Sequence, residues 1–262
     1  MSNPATISAV LIIKNEAESL RACLDSVTWC DEIVVMDSGS QDDSLKIAAE
    51  FTDKIFTETN WQGFGVQRQR AQAKVSTDWI FMIDADERVS PELKASIQAV
   101  VSENDQNRVY EIPRLSWVFG RFIRHSGWYP DYVTRLYPTC KGRYGDDKVH
   151  EKVYCDNGMQ VKPLSGDLLH YTYKDMQHYL IKSANYAAAW ADQREARDKR
   201  ASLLQAIIHG IGCFIKMYLI RAGFLDGRQG FLLALLSAHS TFVKYADLWS
   251  RRQKKTSNGK TT

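Results

Sequence analysis

The chain has no C-x-x-C pair, and its five cysteines (Cys23, Cys30, Cys140, Cys155 and Cys213) are scattered and odd in number. This pattern points away from a zinc knuckle, a redox motif and a disulfide framework, and it fits a reducing compartment. No G-x-G-x-x-G follows the first apolar run, which disfavours a nicotinamide-dependent dehydrogenase. The opening MSNPATISAV lacks a basic region and a long apolar core, so no signal peptide is expected. Uninterrupted apolar runs of 18 residues are also missing. The nearest, 203–220, is broken by Gln205, His209 and Lys216.

A large excess of one sign of charge is missing as well, since the formal net charge over 262 residues is only +3. That mean conceals a split. Residues 194–262 carry 13 Lys and Arg against 4 Asp and Glu, a net of +9, while residues 1–193 carry 21 against 27, a net of −6. The two parts are expected to face different partners. Hydrophobic residues make up 44% and charged residues 25%, which excludes wholesale disorder. The length suits one α/β domain with an appendage, or two small domains.

The first hundred residues alternate apolar strand runs with helical patterns. Ile7–Ile13 is nearly continuously apolar, as a parallel strand covered on both faces should be. Asn15 with Glu18 resembles a capping box before a helix carrying Leu20, Leu24 and Val27. Further strands are expected at Ile33–Met36, Lys54–Thr57 and Trp79–Ile83. Helices are expected after Asp42 or Asp43, over Val66–Ala73, and from Pro91 to about Val101. Such βα alternation predicts a parallel, doubly wound sheet with its ligand site at the carboxyl ends of the strands. From about 108 the pattern breaks into short strand-like pieces, read as an antiparallel extension with long loops. After about Lys174 it becomes helical.

Polar residues cluster at three of those strand ends: Lys14-Asn15-Glu16, Asp37-Ser38-Gly39-Ser40, and Asp84-Ala85-Asp86. Paired carboxylates suit Mg²⁺ or Mn²⁺ bridging phosphate oxygens. Along an extended segment Asp84 and Asp86 would point the same way; a helix N-cap before Pro91 is the competing reading of the same residues. His170 is either a third metal ligand or a hydrogen-bonded core residue. Arg135 is either a planar fork for phosphate or a partner in a salt bridge. Trp117, Trp128, Tyr129 and Tyr132 suit either sugar stacking or a small aromatic core.

The order ISAVLIIKNEAESL, EIVVMDSGSQDDS, DWIFMIDADERV resembles the nucleotide-sugar domain of family 2 glycosyltransferases. Lys14 with Asn15 and Glu16, the Trp61-x-Gly63-x-Gly65-x-Gln67-Arg68 stretch, Asp147-Lys148-Val149-His150-Glu151 and Leu169-His170-Tyr171 look like one subgroup. Its members add glucose to the first heptose of the lipopolysaccharide inner core. The resemblance implies a GT-A (Rossmann-like) α/β fold with a C-terminal helical, membrane-associating extension, and inverting transfer from UDP-glucose. It implies Asn15, Glu16 and Asp37 around the uridine, Gln67 and Arg68 near the nucleotide or diphosphate, and Asp84 and Asp86 on a metal–diphosphate. Inversion needs a base opposite the leaving group. Glu151 is favoured, with Asp147 as the alternative and His150 as an orienting or diphosphate-contacting group.

The expected organisation is 1–107 for the nucleotide-sugar half, 108–173 for the acceptor and catalytic half, 174–250 for the helical extension, and 251–262 for a disordered tail. Basic residues flank the apolar segments Leu203–Ile220 and Phe231–Trp249, which suits helices lying on an anionic membrane, each cation adding about 1 kcal/mol. A helical hairpin packed on the catalytic domain or on a second subunit is the other possibility. The expected partners are a UDP-sugar, a lipid-anchored saccharide and that membrane surface, with no nucleic acid, placing the protein peripherally at the cytoplasmic face of a bacterial inner membrane. The same chemistry on a polyprenyl phosphate or protein acceptor, or a non-catalytic nucleotide- or membrane-binding module, are the competing functions.

Overall fold

A computed structural model describes residues 4–146 and 152–258, with side chains described to Gln253. Strands β1 (Ile7–Ile13), β2 (Glu32–Asp37) and β3 (Ile55–Thr57) are followed respectively by α1 (Ala17–Asp25), α2 (Ser44–Ala49) and α3 (Phe64–Gln72). Strand β4 (Trp79–Met82) and the short β5 (Glu87–Val89) precede α4 (Pro91–Glu103). Seven strands come next: β6 (Arg108–Val118), β7 (Arg121–Phe122), β8 (Asp131–Pro138), β9 (Gly142–Tyr144), β10 (Val153–Cys155), β11 (Gln160–Pro163) and β12 (Leu168–His170). Helices α5 (Met176–Glu195), α6 (Leu203–Ile215) and α7 (Gly227–Asn258) end the chain. A π-helical turn at Lys216–Ile220 and a 3-10 turn at Gly223–Asp226 separate the last two.

The main sheet runs β3-β2-β1-β4-β8-β6-β12-β5. Its first four strands are parallel, and β8 is antiparallel to both β4 and β6. The βα half and the antiparallel extension therefore follow the sequence pattern. Alternation along β1, β2 and β4 explains the near-continuous apolar runs. Leu11, Ile13, Val35, Trp79 and Phe81 face a core shared with Leu20, Leu24, Leu93 and Ile97, whereas Val10, Val34, Met36, Ile80 and Met82 face a second core with Ala71, Tyr137 and Tyr144. Both faces of the sheet are covered, as a parallel sheet requires.

Two local expectations change. Helix α1 has no capping box: Asn15 sits at φ 57°, and the first turn is met instead by Asp42, whose Oδ2 accepts the Ala17 N–H at 3.0 Å. A side chain on the neighbouring βα loop thus replaces the local cap, satisfying an N–H that the helix itself leaves open. Helix α7 continues to Asn258, so helix covers the start of the polar tail.

The chain divides into two compact units, residues 1–115 with 131–170, and residues 116–130 with 171–262. The 116–130 excursion thus shares a compact unit with the C-terminal helices. In the second unit Val118, Ile123 and Leu233 form a small core with Phe119, Trp128, Tyr173 and Met217. Buried Asp226 accepts the backbone N–H groups of Arg124 (3.2 Å) and His125 (2.8 Å), tying the excursion to the 3-10 turn. Gly230 permits that turn to pack on α7, because a Cβ there would lie 1.9 Å from the Gly223 carbonyl oxygen.

At the amino-terminal edge of the sheet, buried Glu32 accepts hydrogen bonds from Lys54, Ser8 and Ser76. Burial opposes its ionisation, but these donors outweigh it and hold the carboxyl at about 2, against an ordinary 4.5. A depressed folded-state pKa contributes stability that is fully present above the unfolded value and is lost as pH falls from about 4.5 towards 2. Glu32→Gln is accordingly expected to cost about 2 kcal/mol at pH 7 and clearly less at pH 3. Urea midpoints of both proteins at the two pH values check this; an equal gap at both would refute it.

Candidate active site

The carboxyl ends of β1, β2 and β4 converge on one edge of the first unit, as the strand order requires. Asp37 ends β2 fully buried, and its carboxylate accepts the N–H groups of Gly39 (2.9 Å) and Ser40 (3.0 Å). Gly39 stands at φ 92°, where a side chain is strained, and a Cβ would crowd the Thr59 methyl at 3.1 Å. Asn15 is held against the same loop: its N–H donates to Ser40 Oγ (2.9 Å) and its Oδ1 accepts the Gln41 N–H (2.8 Å). The Glu16 N–H donates to Ser44 Oγ at 2.8 Å. The strand ends of β1 and β2 are therefore joined into one rim by hydrogen bonds between their loops.

Helix α3 brings Gln67 and Arg68 to this rim, both buried. Gln67 Nε2 donates to Ser38 Oγ and to the Glu58 carbonyl, each at 3.0 Å. Arg68 donates to Asp84 Oδ1 at 2.7 Å and lies 5.2 Å from the centre of the Tyr144 ring. Arg135, from β8, donates to the other oxygen of Asp84 and to Glu87 Oε1, the latter at 2.9 Å. Burial pushes the Asp84 carboxyl up, but Arg135 and Arg68 overcome it and hold it well below the usual carboxylate range.

The D-x-D segment differs from its expected geometry. Strand β4 ends at Met82, and Asp84–Glu87 forms a turn closed by the Glu87 N–H donating to the Asp84 carbonyl at 2.9 Å. The alternation of an extended strand no longer applies, so the two carboxylates part. Asp84 meets the two arginines, and Asp86 meets His170, with Oδ2 and Nε2 3.3 Å apart. His170 is brought there by antiparallel pairing of β12 with β5, where it stands opposite Glu87.

Glu87 was not singled out by sequence reasoning, although it follows Asp86 directly. It is fully buried, accepts the Asp84 N–H at 2.9 Å, and binds Arg135. Arg114 approaches it at 3.7 Å and pairs with Asp131 at 2.6 Å. Three guanidiniums thus stand among Asp84, Glu87 and Asp131, leaving Asp86 as the carboxylate paired with an imidazole. The aromatic group separates too: Trp117 packs on Phe122 (4.8 Å) and Tyr171 (6.0 Å) in the second unit, while Tyr132 belongs to the first and is half exposed.

The family model for glycosyl transferase family 2 matches residues 8–165, more than half of the chain and all the strand ends just described. The chain belongs to glycosyl transferase family 2. This glycosyltransferase has the GT-A fold, an α/β nucleotide-sugar domain, here followed by long C-terminal helices. It is 29% identical over 255 residues to the lipopolysaccharide core biosynthesis glycosyltransferase LpsC of Rhizobium meliloti (strain 1021), covering 94% of this chain and 92% of that one. It is 27% identical over 252 residues to the uncharacterized glycosyltransferase RP128 of Rickettsia prowazekii (strain Madrid E), covering 92% and 86%. Among solved structures, glucosyl-3-phosphoglycerate synthase from Mycobacterium tuberculosis, in complex with Mg²⁺ and uridine diphosphate, matches at 24% identity and a TM-score of 0.36. That match covers 43% of each chain, so it spans less than half of the solved protein.

In the glycosyltransferase the donor set at Asp86 and His170 fits a divalent cation of the Mg²⁺ or Mn²⁺ type. It offers one hard oxygen and one imidazole nitrogen, both partly accessible, with 32% and 14% of their side chains exposed. Among the described residues no third His, Cys, Asp or Glu joins them. Asp84 has one oxygen engaged by Arg68 and the other by Arg135. Asp147, His150 and Glu151 lie outside the described residues.

Proposed function

We propose that this glycosyltransferase moves glucose from UDP-glucose to an inner-core heptose of lipopolysaccharide, inverting the donor's α-linkage to β. The observation supporting the acceptor class is the end-to-end relation to LpsC, whose name assigns it to lipopolysaccharide core biosynthesis. The glucose and heptose assignments rest on the motif resemblance of residues 6–101 and 147–171.

In this reading Asn15 and Asp37 shape the pocket for the uridine, with Glu16 beside them, and Gln67 fixes the loop after β2. Asp86 and His170 would hold Mg²⁺ or Mn²⁺, and the bound cation would supply electrostatic stabilisation of the charge that develops on the departing diphosphate. Asp84 acts through Arg68 and Arg135: its carboxylate fixes both guanidiniums, whose positive charge favours the diphosphate end of the donor. Glu151 takes the proton from the acceptor hydroxyl as that oxygen attacks the anomeric carbon from the side opposite the leaving group. The protein works peripherally at the cytoplasmic face of the inner membrane, where a lipid-anchored acceptor resides.

The test is purified protein with a panel of UDP-sugars and heptose-terminated lipopolysaccharide lacking its outer part. UDP-glucose is expected to give the fastest transfer, and the product a β-linked glucose on heptose. Turnover with another donor alone would overturn the sugar assignment. Transfer only to a polyprenyl phosphate would overturn the acceptor assignment.

A further inference from the structure

Helix α6 is unusual in what it leaves uncovered. The stretch Leu203–Ile220 is long and apolar enough to cross a membrane, with a mean hydropathy of 1.7, yet only 11% of it is buried within the protein. At 3.6 residues per turn, Leu204, Ile207, Ile208, Ile211 and Ile215 fall on one stripe, and all are exposed, Leu204 by 66% and Ile208 by 58%. A second, neighbouring stripe holds Gln205, His209, Gly212 and Lys216, also exposed. The third face packs on α7. Ala206 and Gly210 are buried there, and a Cβ on Gly210 would lie 3.3 Å from the Ala238 carbonyl oxygen. The apolar surface continues through ring contacts of Phe214 and Tyr218 with Phe231, and of Tyr218 with Phe224.

Three faces on one helix distinguish lying on a bilayer from crossing it. A spanning α6 would carry Gln205 and Lys216 into hydrocarbon, where each is costly, while the His209 ring stacks on Tyr245 of α7 at 4.3 Å. A helix lying in the interface buries the isoleucine stripe and leaves the polar stripe beside it in water. The surrounding charge favours lipid over a second copy of the chain. Exposed Arg197, Lys199 and Arg200 precede the stripe, and exposed Lys216, Arg221 and Arg228 flank its far end. The acids of this unit are taken up elsewhere: Asp192, Glu195 and Asp247 by Arg251, Asp198 by Arg252, Asp175 by the amino-terminal cap of α5, and Asp226 by burial. A self-associated pair would bring like charges together around its apolar centre, whereas anionic headgroups match the cationic rim.

We infer that α6 is the membrane-docking element of this protein. It lies in the plane of an anionic leaflet, with Leu204, Ile207, Ile208, Ile211 and Ile215 among the acyl chains and the flanking cations on phosphate headgroups. This deepens the proposed peripheral location and needs neither the donor nor the acceptor assignment.

The test is flotation of the full chain with vesicles of phosphatidylcholine, with and without phosphatidylglycerol. Wild type should float with the anionic vesicles, and the Ile208→Glu/Ile211→Glu variant should bind them about 100-fold more weakly. Both positions are exposed, so melting curves should coincide; if they do not, Leu204→Ser/Ile215→Ser serves as the second variant. Labels at Ile208→Cys and Ile215→Cys should be quenched equally by lipid-borne nitroxides, and a label at Gly212→Cys much less. Unchanged flotation of both variants would overturn the inference. So would quenching that peaks at mid-helix on every face, as spanning demands, or a wild-type dimer lost in the variant while vesicle binding persists. Turnover on a delipidated core oligosaccharide, expected to be unaffected by Ile208→Glu/Ile211→Glu, tests the enzymatic reading separately.

Discussion

Replacing Asp86 with Asn is expected to lower transfer on the order of 1,000-fold while leaving the fold intact. The substitution preserves size and can still hydrogen-bond His170, 3.3 Å away, but it removes the carboxylate charge that suits a divalent cation. The loss should have a specific signature. Wild-type affinity for UDP should rise steeply with Mn²⁺, whereas the Asp86→Asn protein should bind UDP almost equally with and without the ion. His170→Ala should show the same signature more weakly, at about 10- to 100-fold in rate. Titration of UDP at fixed Mn²⁺, beside initial rates, measures both. If Asp86→Asn retains Mn²⁺-linked UDP binding, Asp86 does not hold the cation. A matching loss in Asp84→Asn would not identify a ligand, because Asp84 also anchors Arg68 and Arg135.

The largest stability effect is expected at Arg135. Its side chain is 6% exposed and binds both Asp84 and Glu87, the latter fully buried. Arg135→Met keeps the volume but strands two carboxylates. Arg68 still covers one oxygen of Asp84, whereas Glu87 keeps only the Asp84 N–H and a guanidinium 3.7 Å away. Burial already pushes the Glu87 carboxyl above its ordinary value, against the pull of Arg135. Removing one partner of a buried pair costs about 3 kcal/mol, because the other is left dry and uncompensated. The urea midpoint should fall accordingly, and Arg135→Lys should recover part of the loss by restoring charge without the planar fork. A cost below about 1 kcal/mol would mean that water or local repacking reaches Glu87 more easily than its burial implies.

These effects differ in how far they can be read from the chain. The near-continuous apolar runs at Ile7–Ile13, Ile33–Met36 and Trp79–Met82 announce buried parallel strands because their faces are both covered, and composition alone can record that. The polar residues after each run are legible for the same reason: a parallel sheet aligns its strand ends on one edge. Glu87 was not legible as a site residue. Its meaning depends on Arg135, 48 positions away, and on His170 opposite it in β12. Nor could alternation be trusted beyond Met82, since the turn that separates Asp84 from Asp86 is stabilised by Arg68 and Arg135, which arrive from α3 and β8.

The tail shows the same division. Local composition showed an apolar, cation-flanked helix, but not which of its residues pack on α7. Gly210 and Ala206 are small among isoleucines, a faint sign of a close helix crossing, and only the crossing itself tells the covered face from the open one. The sequence by itself determined the βα alternation, the sheet edge carrying the polar residues, the family, and the separation of acidic and basic segments. All of these follow from neighbours in the chain and the period of strand or helix. Tertiary structure alone decided that Asp84 belongs to the arginines and Asp86 to His170, that Glu87 anchors the cluster, and that the isoleucine stripe of α6 faces outward. Each of these depends on groups far apart in sequence, whose pairing is chosen by packing and by the cost of burying an unmatched charge.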